Sequence, residues 1–142
     1  MSSPTESGGG GDRVRYLSLD WINAMRAAVE ASDHMRDVAK QYTIGATQVV
    51  SSGPEGDVTY HVQLRDGDAS VGPGPADPED VKMEQDWDTA VAVATGDLNG
   101  QEAFVSGRIR LFGDQQKLLD SQPVFGALDA VFTTVSQRTD YV

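Results

Sequence analysis

The chain has 142 residues, no cysteine, and 22 acidic against 11 basic residues, a formal charge of −11. That length suits one domain able to bury about two-thirds of its unfolded surface, and the absence of cysteine excludes disulfide staples and thiolate metal sites. The negative field repels phosphate backbones and anionic headgroups, which argues against nucleic acid and against stable docking on an acidic membrane.

Residues 1–12 are mostly Ser, Pro, Gly and acidic residues and contain the run Gly8 to Gly11. Such a segment buries too little apolar surface to offset its ordering entropy, so a disordered tail is expected at 1–12 and a single domain over 13–142. Nothing near the N-terminus pairs a basic region with an apolar stretch. The longest apolar run, Ala90 to Ala94, falls far short of the ~20 residues of a membrane span. A cytoplasmic protein with no stable membrane insertion is the expectation.

Ser18 is placed as an N-cap for Leu19, Ile22, Met25 and Val29 at helical spacing. Met35 and Val38 extend the pattern, so a helical region over 18–40 continues or restarts after Ser32-Asp33. Tyr42 to Ser51 is rich in β-branched residues, and turn chemistry follows at Ser52 to Gly56. Val58, Tyr60, Val62 and Leu64 then alternate with polar residues, the mark of a half-buried strand. Asp66-Gly67 predicts a tight turn into a short strand, Ala69 to Gly72. Pro73 to Asp80 reads as a loop, and Val81, Met83 and Gln85 as a fourth strand. Asp86 or Asp88 caps a helix that Gly96 ends, and Asn99 with Glu102 starts another that Gly107 ends. Ile109 and Leu111 mark a fifth strand. Leu118 and Leu119 sit on a short helical piece, and Pro123 opens a final helix. Strands in a run flanked by helices predict an α+β fold, with helices over one face of a mainly antiparallel sheet.

Chemistry-bearing residues are sparse. His34 and His61 fall on different predicted elements, and no histidine–carboxylate grouping has metal-ligand spacing. Asp77, Glu79, Asp80, Glu84, Asp86 and Asp88 cluster in a polar stretch without the pattern of a calcium loop. Prolines strip Gly72-Pro73-Gly74-Pro75 of the N–H donors that a phosphate loop needs. No catalytic residue, metal or cofactor is expected. What stands out is the large apolar content after residue 87, above all Val124, Phe125, Leu128, Val131, Phe132 and Val135 on the final helix. Composition does not separate a filled core from a lined cavity.

The stretch from Val81 to Trp87, followed by Gly96, Leu98, Ala103-Phe104, Gly107, Ile109, Leu111 and Gly113-Asp114, resembles the sterol carrier protein 2 family. The likeness extends more weakly over about 16–140 and is greatest to stand-alone bacterial members. It implies a five-stranded, mainly antiparallel sheet covered by helices, with an apolar tunnel between sheet and helices that holds a lipid, fatty acid or sterol-like molecule without chemistry. Carried onto this chain, the tunnel would draw on Trp87, Val91, Leu98, Phe104, Ile109, Leu111, Leu119, Phe125, Leu128 and Phe132. Gln85, Arg108 and Arg110 are the candidates for orienting a head group. Two alternatives stand beside this reading: a protein-interaction or homodimerisation domain, and a small enzyme acting on a hydrophobic substrate in the same cavity.

Overall fold

The computed structural model describes residues 13–141; the tail expected at 1–12 lies outside them. In chain order the elements are β1 (Val14–Arg15), α1 (Leu19–Ala31), α2 (Asp33–Gln41), β2 (Ile44–Gly53), β3 (Gly56–Arg65), β4 (Asp68–Pro73) and β5 (Val81–Asp86). They continue with α3 (Trp87–Ala94), α4 (Gly100–Val105), β6 (Arg110–Gly113), α5 (Gln115–Asp120), α6 (Gln122–Ser136) and β7 (Thr139–Asp140). The fold is α+β.

Short polar side chains set the helix boundaries. Ser18 Oγ accepts from the Trp21 N–H at 3.1 Å and starts α1. Ser32 has extended backbone, ends α1, and its Oγ accepts from the Met35 N–H at 3.2 Å to start α2. The helical region therefore restarts at Ser32.

Five strands form one sheet in the order β4-β3-β2-β5-β6, antiparallel except for the central β2–β5 pair. Asp66 (φ 52°) and Gly67 (φ 86°) both adopt left-handed backbone in the two-residue β3–β4 turn, the conformation favoured by the right-handed twist of a hairpin. The even-numbered residues of β2, Ala46, Gln48 and Val50, face the helices. Thr47, on the opposite face, is buried under the loop before β5 and accepts from the Ala76 N–H at 3.0 Å. Asp80 binds the Gly45 N–H through its carboxylate at 2.8 Å. Trp21, Val29, Met35, Ile44, Leu64, Val71 and Val124 are fully buried between the sheet and α1, α2 and α6.

One further pairing carries no periodic signal in the sequence: β1 and β7, two residues each, pair in parallel and join the ends of the domain. Arg13 and Asp140 form an ion pair beside them.

Two glycines make opposite demands. A Cβ on Gly45 would overlap the Pro78 carbonyl, whereas one on Gly126, within α6, would meet open space. Gly45→Ala should lower unfolding stability by about 1–3 kcal/mol through forced displacement of that loop. Gly126→Ala should raise it by up to about 1 kcal/mol through helix propensity. Urea denaturation of the two variants measures both signs.

Candidate ligand cleft

The final helix presents two stripes. Val124, Ala127, Val131 and Val135 are buried against the core. Phe125, Asp129, Phe132, Thr133 and Ser136, turned about one residue around the helix, line a cleft of about 650 Å³. The valine stripe thus fixes the helix while its neighbour stands over open space.

The sheet supplies the floor. Tyr60 and Met83 both pair with Gln48 in register, so β3, β2 and β5 place these three side chains in a row, with Gln85 two residues further along β5. Ala90, Val93 and Ala94 of α3 form one wall, and Phe104 of α4 with Ile109 closes it. Alanines and a valine keep that wall low, which leaves room between α3 and α6. At one end lies Tyr16, its ring 5.1 Å from Trp21, 5.5 Å from Trp87, 4.9 Å from Tyr141 and 6.3 Å from Phe132. Burial pushes the Tyr16 and Tyr60 hydroxyls above the ordinary phenol range, so both stay protonated.

Two buried side-chain polar atoms have no hydrogen-bond partner among the described residues: Trp21 Nε1 and Gln85 Oε1. The second belongs to a side chain that lines the cleft. Asp86 next to it has another task. Its carboxylate caps α3 by accepting from the Thr89 N–H at 2.8 Å, and that bond, aided by Arg108, holds its pKa below that of an ordinary aspartate.

Of the residues singled out from the sequence, Phe104, Ile109, Phe125 and Phe132 come together in the lining. Val91, Leu111 and Leu128 pack, partly buried, against the core, as Phe125 and Phe132 also do, but do not line the cleft. Trp87 borders a separate small recess beside Glu55 and Pro54. Leu98 lies half-buried in the turn after α3, and Leu119 is 62% exposed because Leu118 takes the inward position of α5. Of the three head-group candidates only Gln85 lines the cleft. Arg108 donates to Thr89 Oγ1, and Arg110 pairs with Glu84. Gln48, Tyr60 and Met83 of the sheet floor and Tyr16 are not among the site residues singled out from the sequence, although strand phase points to part of the floor: Tyr60 shares the phase of Val62 and Leu64, as Met83 does that of Val81.

A model of the SCP-2 sterol transfer family matches residues 23–126. The chain belongs to that family. Hydroxysteroid dehydrogenase-like protein 2 of Xenopus tropicalis is 30% identical over 97 residues, and the chain spans only 23% of that protein while 68% of the chain is covered. Sterol carrier protein 2 of Yarrowia lipolytica, in its apo form, has the same fold: TM-score 0.58 at 15% identity, covering 84% of this chain and 97% of that one. Palmitated SCP2L2 of Aedes aegypti superposes with TM-score 0.56 at 20% identity, covering 75% and 90%. Among the described residues no helix is long and apolar enough to cross a membrane.

The two stripes of the SCP-2 domain's last helix should separate on mutation. A phenylalanine beside a cleft has fewer neighbours to lose, so Phe125→Ala should cost less than about 2 kcal/mol, against roughly 3–5 for a packed core phenylalanine. Phe132, 6.0 Å from Trp21, should cost more than Phe125. Chemical denaturation of both variants reads the difference. The Asp86 cap should add acid sensitivity. A carboxyl whose pKa is lowered by folding stabilises at higher pH and loses that contribution as pH falls below about 4. Asp86→Ala should therefore cost about 1 kcal/mol at pH 7 and flatten the acid limb of a melting-temperature profile.

Proposed function

We propose that this domain binds a single long-chain hydrophobic molecule in the cleft between the sheet and α6, and carries it without acting on it. The observation behind this is the double face of α6: one stripe is buried in the core, while the adjoining one, with Phe125 and Phe132 partly buried at the core's edge, lines the cleft. A volume of about 650 Å³ falls within the ~300–1,000 Å³ typical of small-molecule clefts. Burying hydrocarbon there contributes about 0.8 kcal/mol per methylene, enough over a long chain to exceed the cost of association and leave micromolar affinity or better. Membership in the SCP-2 family, whose description names sterol transfer, and the palmitated mosquito structure favour the same reading.

Carriage rather than catalysis is supported by the lining itself. Among the described residues it holds one carboxylate, Asp129, and neither histidine. His61 lies on the outer phase of β3, its Nδ1 3.0 Å from the Gly74 carbonyl, and His34 is exposed on α2. A general acid–base pair needs two such groups within reach of one substrate atom.

Fluorescence titration with pyrene-labelled alcohol, fatty-acid and sterol probes tests the reading. At least one class should bind saturably at micromolar or lower concentration, and Val93→Trp, which fills the cleft from α3, should weaken it tenfold or more. No saturable binding in any class would remove the carrier function.

A further inference from the structure

The cleft is apolar along much of its length but not neutral in its demands. Gln85 places its amide Oε1 out of contact with solvent, and no donor among the described residues reaches it. A buried acceptor without a donor is costly, and it gains most from a partner that brings its own O–H or N–H to it. The surrounding charge narrows what that partner can be. Among the described residues no lysine or arginine lines the cleft, and the one carboxylate in the lining, the exposed Asp129, disfavours a second carboxylate or a phosphate. Nearby cations are engaged elsewhere, Arg108 with Thr89 and Arg110 with Glu84. The Tyr60 hydroxyl on the same floor is uncharged.

We infer that Gln85 selects the ligand's head group, and that the cleft takes an amphiphile whose single polar end is an uncharged hydrogen-bond donor: a long-chain alcohol in preference to a fatty-acid anion. The inference rests on the carrier reading above and specifies its ligand class. The hydroxyl donates to Gln85 Oε1 at the sheet, and the hydrocarbon extends between α3 and α6 past Val93 and Phe125. A methyl ether of the same chain keeps the hydrocarbon and the oxygen but loses the donor. Palmitate keeps the chain but brings a charge that nothing in the lining balances.

Competition of hexadecan-1-ol, its methyl ether and palmitate against a pyrene-labelled alkyl probe separates these terms. Wild-type protein should bind the alcohol about tenfold more tightly than the ether, as expected for satisfying one buried acceptor, and more tightly than palmitate at pH 7. In Gln85→Leu the alcohol's advantage over the ether should vanish while the ether binds at least as tightly as to wild type, which also reports an intact cleft. Gln85→Met provides a second variant with a longer, flexible replacement. Equal affinity of alcohol and ether in wild type would overturn the assignment while leaving the carrier reading standing. So would an alcohol preference that survives in both variants, or tighter binding of palmitate. Failure of all three ligands to displace the probe would instead bring down the carrier reading and this inference with it.

Discussion

The packing of one helical stripe against the core decides what the rest of the molecule can do. Val124, Ala127, Val131 and Val135 are buried, and they hold α6 against α1 and α2. Small and β-branched residues on that stripe fix the depth at which the helix sits. Because the stripe meets its partners on the α1 and α2 side, the adjoining face of α6 stands away from β3, β2 and β5 and leaves the cleft between.

The sheet makes a matching concession. Its helix-facing surface is closed by Ala46, Val62, Leu64 and Val81 towards one end and carries Gln48, Tyr60, Met83 and Gln85 towards the other. The first set is core. The second mixes polar groups with an adaptable thioether, and the Gln48 amide contacts Met83 Sδ at 3.8 Å. Placing polar side chains in the floor of a half-buried space costs stability wherever a hydrogen bond is missing, as at Gln85 Oε1.

Most of the elements are legible in the sequence because local chemistry alone defines them. Ser18, Ser32, Asp86 and Asn99 cap helices as single hydrogen-bonding side chains, and Asp66-Gly67 turns a hairpin through its own backbone preference. The facing of apolar residues is not legible in the same way. Phe125 and Val124 are chain neighbours of similar hydrophobic character, yet one meets the cleft and the other the core. That difference depends on where α1 and α2 pack, a long-range matter. Leu119 misleads for a related reason: on a six-residue helix, one position of phase moves a leucine from inside to outside. Gln48, Met83 and Tyr16 escape a search for large apolar residues late in the chain, which passes over the polar floor and the aromatic end of a cleft. The β1–β7 pair is too short for any period to reveal.

The most direct test is to locate the bound molecule by solution NMR on isotopically labelled protein saturated with unlabelled hexadecan-1-ol. Intermolecular NOEs from chain methylenes should reach Phe125, Val93 and the Met83 methyl group, and none should reach Val124 or Val131 on the buried stripe. NOEs confined to exposed residues such as Leu19, Val105 or Leu119 would place the ligand on the surface and contradict a cleft held open by the packing of α6.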